Sequence, residues 1–230
     1  MVEAKRTHCR IGTLSLINTR GILAVMKKPT WDVFREERLK KIFTEKNLII
    51  DIGGTLRIDE TKNNRKSESS NAWLSEYLPK VDYKILDKVA DYNPDIVGDI
   101  HDLPFEDNSV DAIICIAVLE HVEEPQKAVR EMYRVLKPGG YCYIFAPFLF
   151  YYHPMPGYYG DYYRFTRQGF EYMTKDFAHV EIQNLLGATA TAMNLFPFFS
   201  KRTGIFQLVD KVFGKENSNQ TSGYDVFCVK

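Results

Sequence analysis

The stretch from residue 97 to residue 147 constrains the fold of this chain most strongly. It holds two short apolar runs, residues 111–116 (DAIICI) and 141–145 (YCYIF), on either side of a segment with helical spacing of apolar residues. Short apolar runs bounded by turn residues and acids are typical of strands buried on both faces. Pro125 lies near the start of the intervening segment and Pro138-Gly139-Gly140 follows it, as expected for a helix. The stretch therefore predicts a strand, a right-handed crossover helix and a parallel strand.

Other short apolar runs predict the rest of a sheet. They are residues 48–52 (LIIDI), 81–86, 96–97, 179–182 and 224–229. Glycine or aspartate follows the first three of these runs. In open parallel sheets, ligands bind outside the carboxyl ends of the strands, so these residues predict a binding edge.

Residues 99–140, DIHDLPFEDNSVDAIICIAVLEHVEEPQKAVREMYRVLKPGG, resemble the class I S-adenosylmethionine-dependent methyltransferases of the small single-domain type, the methyltransferase type 11-like proteins. The resemblance extends from about Leu48 to the C-terminus. It implies an α/β fold that is Rossmann-like, with a seven-stranded, mostly parallel sheet, helices on both faces and strand order 3-2-1-4-5-7-6. It also implies methyl transfer as the activity and S-adenosylmethionine as the cofactor.

The same resemblance implies a cofactor site at the strand ends. Asp51 and Gly53 match the first cofactor motif, where glycine lets the backbone approach a ligand. Asp87 is expected at the ribose diol, and Asp99 with Ile100 at the adenine. The predicted cofactor-binding residues are Asp51, Gly53, Gly54, Asp87, Asp99, Ile100, His101, Cys115 and Ile116.

The first cofactor loop departs from the family pattern, because Thr55 and Arg57 occupy positions where glycine is usual. Two interpretations stay open: a loop reshaped around the methionine end of the cofactor, or a loss of binding. The second would make the chain a degenerate, non-catalytic methyltransferase-fold protein that binds a partner. A nicotinamide-dependent dehydrogenase is disfavoured, because the chain lacks the phosphate-binding sequence G-x-G-x-x-G.

Residues 147–166, PFLFYYHPMPGYYGDYYRFT, are predicted to form an aromatic substrate loop. Proline and glycine prevent regular structure there, and the segment leaves the carboxyl end of a predicted strand. The pattern resembles a subgroup of these methyltransferases associated with sugar or glycan modification. Tyrosine rings stack on sugars, and Asp161 with Arg164 can fix hydroxyls or an anionic group. An Asp–Arg pair that only holds the loop together stays an alternative.

Four residues are predicted to hold or deprotonate an acceptor hydroxyl: His121, His153, Asp161 and Arg164. By the resemblance, Glu120 and His121 lie near the transferred methyl group, where a histidine with a near-neutral pKa could act as base. The alternative is that Glu120 and His121 only support the local loop. No metal site is expected, because His153 and Asp161 supply only two nearby ligands.

The composition indicates which classes of binding partner and which cellular compartment to expect. Thirty basic residues balance thirty acidic ones, so the chain has no net charge that would favour binding to nucleic acid. No apolar run approaches the ~18 residues of a membrane span. The four cysteines lack C-x-x-C spacing and are expected to be reduced structural thiols of a cytoplasmic protein. The expected partner is a small-molecule or glycan substrate, with the oligomeric state open.

The predicted domain organisation is simple. Residues 1–25 are expected to be a disordered N-terminal extension, and residues 26–230 a single methyltransferase domain. Residues 185–222 are expected to form an insertion before the last strand. An apolar stripe at Ile205, Leu208, Val209 and Val212, flanked by basic residues, is expected to pack on the domain. A groove for a lipid-linked substrate, or contact with a membrane surface, is the alternative.

Overall fold

A seven-stranded sheet forms the centre of the computed structural model, which describes residues 29–59, 71–196, 198 and 203–230. The strand order is β3-β2-β1-β4-β5-β7-β6. Strands β1 to β5 pair in parallel, and β7 pairs antiparallel with both β5 and β6. The predicted fold class and strand order are confirmed. In chain order the strands are β1 (Leu48–Ile52), β2 (Asp82–Asp87), β3 (Ile96–Val97), β4 (Val110–Ile116), β5 (Leu136–Pro147), β6 (His179–Asn184) and β7 (Gly223–Val229).

Helices cover both faces of the sheet in the described residues. The α-helices are α1 (Thr30–Glu45), α2 (Pro125–Val135), α3 (Arg167–Met173), α4 (Ala188–Asn194) and α5 (Thr203–Val212), with single-turn or short 3-10 segments at Ala72–Lys80, Ala90–Tyr92 and Leu119–His121. Successive strand residues point to opposite faces. Ile50 therefore joins the apolar cluster under α2, while Ile49 joins the cluster under α1.

Strand β5 is longer than the sequence indicates. The apolar run predicts a strand from Tyr141, but the strand begins at Leu136, which pairs with Val110 across a register irregularity. Pro138-Gly139-Gly140 therefore lies inside the strand instead of only ending the helix. The N–H of Gly139 donates to the carbonyl of Lys230 (2.7 Å), so the end of the chain helps to hold this region.

An ion pair fixes α1 against the sheet. The Arg35 guanidinium donates to the carboxylate of Asp225 on β7 (2.8 Å) and to the hydroxyl of Tyr143 on β5 (3.3 Å). Burial raises the pKa of Asp225, and the positive charge of Arg35 opposes that rise. The pair therefore holds α1 against β5 and β7.

Four further features of the sequence can be compared with the structure: the N-terminal extension, the cysteines, the absence of a long apolar run and the apolar stripe on α5. The predicted extension, residues 1–25, lies outside the described residues. Cys115, Cys142 and Cys228 are buried and free. None of the helices in the described segments has the length and hydropathy to cross a bilayer. On α5, the Ile205 and Val212 side chains are 55% and 72% exposed, so this stripe is largely unburied.

Candidate functional site

A cavity of about 690 Å³ lies where β1, β2, β3 and β4 end. Its volume is within the range of pockets that enclose drug-sized ligands. Seven of the predicted site residues line it: Gly53, Gly54, Asp87, Asp99, Ile100, His101 and His121. Six others do not line it, namely Asp51, Cys115, Ile116, His153, Asp161 and Arg164. The structure therefore gathers most of the predicted cofactor residues and separates most of the predicted catalytic ones from the cavity surface.

The turn after β1 brings backbone close to the cavity. Gly53 has φ +81°, and its N–H donates to the carbonyl of Leu86 on β2 (2.8 Å). A Cβ atom at this position would lie 2.7 Å from Cγ2 of Val118. The left-handed conformation and the close approach together require glycine here.

Thr55 and Arg57, which depart from the family pattern, are accommodated in an ordered turn. The Thr55 hydroxyl donates to the carbonyl of Ile116 at the end of β4 (2.7 Å). Arg57 adopts φ +52°, and the intervening Leu56 is buried. Both Thr55 and Arg57 line the cavity. Thr55 therefore ties the turn to the neighbouring strand, and Arg57 places a cation at the cavity wall.

Asp51 holds this turn from beneath. Its carboxylate is fully buried, and Oδ2 accepts from the Tyr83 hydroxyl (2.6 Å) and from the Leu56 N–H (3.2 Å). Burial raises the pKa of Asp51 to about 7, against the opposing effect of these hydrogen bonds. Because Asp51 does not reach the cavity surface, its effect on a ligand would pass through the turn.

Two carboxylates stand at the ends of neighbouring strands. Asp87 ends β2, and its Oδ1 accepts from the N–H of Val89 (2.8 Å). Asp99 follows β3, and its Oδ1 accepts from the N–H of His101 (2.9 Å). Parallel pairing of β2 with β3 brings both to the same edge, and both line the cavity. The side chain of Ile100 lines the wall beside Asp99.

Hydrogen bonds keep Asp99 ionised. The Glu124 N–H donates to Nε2 of His101 (3.2 Å), so the other ring nitrogen, Nδ1, carries the proton that Asp99 Oδ1 accepts (2.6 Å). The ammonium of Lys88 lies 3.0 Å from Oδ2. Partial burial raises the pKa of Asp99, but the bonds from His101 and Lys88 outweigh it and bring the pKa to about 2. The site therefore carries a charged acceptor at neutral pH.

The end of β4 contributes backbone to the site. Ala117 lines the cavity with φ +53°, and its N–H donates to the carbonyl of Phe145 (2.9 Å). A left-handed non-glycine residue stores strain of a kind that concentrates at functional sites. The side chains of Cys115 and Ile116 are buried just before it. Their predicted role in cofactor binding stays a prediction.

The aromatic loop, residues 147–166, covers part of the cavity. The Tyr158 ring stacks on the ring of Tyr92 from the opposite wall, with centroids 5.5 Å apart, and the Tyr92 hydroxyl donates to Sδ of Met155 (3.2 Å). Tyr159 packs against the His121 ring, with centroids 4.4 Å apart. These contacts join the loop to both sides of the cavity.

Asp161 and Arg164 close the loop on itself. The guanidinium binds both oxygens of the buried carboxylate (2.5 Å and 2.8 Å) and also donates to the carbonyls of Phe150 and Tyr151. The bond from Arg164 is the main cause that lowers the pKa of Asp161 to about 2. This geometry agrees with the alternative in which the pair holds the loop together. A direct role for either residue with an acceptor stays a prediction.

Glu120, His121 and His153 form a cluster that sequence reasoning did not assemble. The Glu120 side chain is 1% exposed, and its Oε1 lies 3.9 Å from Nε2 of His121 and 3.8 Å from Nε2 of His153. Burial raises the pKa of Glu120 to about 7 and lowers the pKa of His121. His153 lies about thirty residues from Glu120 and His121 in the sequence, on a separate loop. The sequence pointed to their proximity only in that the two segments follow β4 and β5, which are adjacent strands.

The chain is similar to known methyltransferases in sequence and in structure. A family described as "Methyltransferase domain" matches residues 69–144. A solved S-adenosylmethionine-dependent methyltransferase from Archaeoglobus fulgidus is similar in structure, with a TM-score of 0.57, 13% identity, and coverage of 87% of this chain and 93% of that chain. The chain has a class I methyltransferase fold. The likeness in structure confirms the predicted fold, and the family match supports the predicted resemblance over residues 69–144.

Curated relatives of this methyltransferase-fold chain match over shorter stretches. A rice 2-methyl-6-phytyl-1,4-hydroquinone methyltransferase is 30% identical over 100 residues, covering 43% of this chain and 30% of that protein. A demethylmenaquinone methyltransferase from Renibacterium salmoninarum is 56% identical over 45 residues, covering 20% of this chain and 19% of that protein. The match thus spans less than a third of each relative's length.

Proposed function

We propose that the protein transfers the methyl group of S-adenosylmethionine to a hydroxyl of a small molecule or glycan. One observation carries the proposal: Asp87 and Asp99 line the same cavity as the left-handed turn at Gly53. A carboxylate can accept two hydrogen bonds from a ribose diol, the role proposed for Asp87. A second carboxylate beside an apolar wall complements an adenine amine and ring, the role proposed for Asp99 and Ile100.

The turn after β1 suits the amino-acid end of the donor. Arg57 brings positive charge to the cavity wall, which complements a carboxylate. The ordered turn at Thr55 and Arg57 also supports a reshaped binding loop over a loss of binding. Catalysis would then consist mainly of aligning the acceptor oxygen behind the methyl carbon for in-line displacement.

The acceptor end is proposed to lie beside His121 and the aromatic loop. Burial lowers the pKa of His121, so its imidazole is neutral near pH 7 and suited to accept a proton. Exposed tyrosine rings on the loop, including Tyr151, Tyr152 and Tyr162, offer stacking surfaces for a sugar. The two relatives described above are named for a hydroquinone and for demethylmenaquinone, so the glycan proposal rests on this loop alone.

Titration calorimetry with S-adenosylhomocysteine tests donor binding, with a nicotinamide dinucleotide as the comparison ligand. We expect one S-adenosylhomocysteine per chain and no heat from the dinucleotide. Absence of binding at millimolar S-adenosylhomocysteine would contradict the proposal.

A methyl-transfer assay with labelled S-adenosylmethionine then tests the acceptor. The panel includes free glycans, small alcohols and lipid-linked glycans, the last because Ile205 and Val212 are exposed on α5. We expect transfer to a hydroxyl-bearing acceptor. Donor binding without transfer to any member would favour the non-catalytic alternative.

A further inference from the structure

Three side chains that commonly bind metals converge beside the cavity. Glu120 and His121 lie in the 3-10 turn Leu119–His121 after β4, and His153 lies on the aromatic loop after β5. One ligand atom from each lies within 4.8 Å of the other two. Two independent segments therefore supply the cluster, and the loop contacts at Tyr159 and Gly160 hold them together.

One oxygen of the carboxylate in this cluster is buried without a hydrogen-bond partner among the described residues. Glu120 is 1% exposed, and its Oε2 has no hydrogen-bond partner in the described part of the chain. Its Oε1 lies 3.9 Å from His121 Nε2 and 3.8 Å from His153 Nε2. These separations are too long for hydrogen bonds. The three groups therefore surround a gap instead of bonding directly to one another.

Both imidazole rings are oriented with Nε2 toward that gap. Nδ1 of His121 lies 2.5 Å from the carbonyl oxygen of Gly160, and Nδ1 of His153 lies 3.0 Å from that of Tyr151. A carbonyl only accepts, so each Nδ1 carries a hydrogen. In the neutral rings, Nε2 then presents a lone pair. Metal-bound histidines typically make this outer hydrogen bond to a carbonyl.

We propose that Glu120, His121 and His153 bind a divalent transition-metal cation, for which Zn²⁺ is the best match. Two imidazoles and one carboxylate form the three-ligand set of many zinc sites that keep a position open. Ligands about 2.1 Å from a tetrahedral ion lie about 3.4 Å apart, so the two carboxylate–imidazole separations would need to close by about 0.5 Å. The two imidazole nitrogens, which lie within 4.8 Å of each other, would need to come to about the same 3.4 Å separation.

The role of the metal rests on the proposed methyl transfer. His121 lines the cavity, so the open position would face the acceptor end. An acceptor hydroxyl bound there would release its proton to solvent more readily. The oxygen would form the new bond to the methyl carbon while the carbon–sulfur bond breaks and its electron pair stays on sulfur. His121 Nε2 would then be a ligand and not the base.

A metal-free arrangement is the competing explanation. Asp161 Oδ2 lies 3.3 Å from Nδ1 of His153. His153 could therefore link Asp161 and Glu120 without a metal. In that arrangement, added metal would not compete for the cluster, and substitution of Glu120 would leave metal content unchanged.

Metal analysis of the full chain without an affinity tag tests the proposal. The protein is treated with chelator, dialysed against Zn²⁺ or Co²⁺, and measured by mass spectrometry of the metal and by the visible absorption of bound Co²⁺. Glu120→Gln and His153→Asn remove one ligand each. His179→Ala is the matched control, because His179 is exposed on β6 and pairs only with Glu181 (3.2 Å) among the described residues.

We expect about one metal per wild-type chain and per His179→Ala chain, and at least tenfold weaker binding in the two ligand variants. Thermal unfolding in chelator establishes that the variants fold. If a variant does not fold, the test rests on the visible spectrum of Co²⁺ added to wild-type protein. Absence of bands from Co²⁺ coordinated by nitrogen and oxygen overturns the proposal. Equal binding by wild type, Glu120→Gln and His153→Asn also overturns it.

A parallel titration with S-adenosylhomocysteine separates the two proposals. Wild-type protein that binds this ligand but no metal would overturn only the metal site. Protein that binds metal but not S-adenosylhomocysteine would keep the metal site and overturn the proposed function.

Discussion

The two ends of the cavity are built in different ways. At the proposed donor end, strand termini carry Asp87 and Asp99 directly to the cavity wall. At the proposed acceptor end, the charged pair Asp161–Arg164 holds the aromatic loop together, and several tyrosine rings of the loop are exposed. Strand ends therefore fix the carboxylates of the cavity wall, while a loop held by its own ion pair carries the exposed aromatic surface.

The largest effect is expected for Gly53→Ala. A left-handed φ costs an alanine about 1–2 kcal/mol, and the new Cβ would meet Val118 at 2.7 Å. We expect roughly 100-fold weaker S-adenosylhomocysteine binding, about 2.7 kcal/mol, by calorimetry. Gly139→Ala is the control, since Gly139 is also left-handed but has open space around it. It should lose stability and keep its affinity; wild-type affinity in Gly53→Ala would contradict the close-approach argument.

Arg164→Ala should have the next largest effect, on stability. It leaves the buried Asp161 carboxylate without its main partner. Because Arg164 is partly exposed, we expect about 2 kcal/mol of lost unfolding free energy in urea, with donor affinity nearly unchanged. Lys41→Ala breaks an exposed ion pair with Glu45 (2.7 Å) and a contact with the Tyr141 ring (5.2 Å), and should cost under about 0.5 kcal/mol. Equal losses of unfolding free energy in the two variants would show that Arg164 does not hold the loop together.

Asp87→Asn should weaken donor-nucleoside binding by about tenfold, or 1.4 kcal/mol. The reason is the loss of a charged acceptor for the ribose diol. Calorimetry with S-adenosylhomocysteine measures the loss, and Asp91→Asn, an exposed aspartate outside the cavity lining, is the control. An analogue without the diol should bind wild type and Asp87→Asn equally. A persistent difference with that analogue would show that Asp87 acts elsewhere.

The last prediction concerns Asp51→Asn, whose effect on stability depends on pH. Burial raises the pKa of Asp51 from 3.8 to about 7, so between these values the folded chain holds a proton more tightly than the unfolded chain. The stability contributed by this group therefore falls as pH rises through that window. Asparagine does not titrate, so the variant should gain stability relative to wild type at pH 8 compared with pH 5. Urea unfolding at both values measures this; an unchanged difference would show that the Asp51 pKa is not raised.

The sequence predicted the fold, and the position of several proposed donor-site residues at the cavity wall, because both depend on local patterns. Short apolar runs located each strand, and residues at or near the ends of parallel strands, such as Asp87 and Asp99, fall at one edge of the sheet. The start of β5 was missed because Pro138-Gly139-Gly140 usually ends a helix, while here a register irregularity lets strand pairing begin at Leu136. Local propensity could not reveal that pairing.

The acceptor end was harder to predict, because its geometry depends on long-range contacts. Whether Asp161 and Arg164 face a ligand or each other depends on how the loop folds back on Phe150 and Tyr151. The approach of His153 to Glu120 likewise depends on the packing of Tyr159 against His121. No spacing in the sequence encodes either arrangement.

A crystal structure with S-adenosylhomocysteine tests the central claim most directly. The account predicts the ribose hydroxyls within hydrogen-bonding distance of Asp87, the adenine between Asp99 and Ile100, and the sulfur toward His121. A ligand bound outside this cavity, or bound within it with the ribose away from Asp87, would contradict the account.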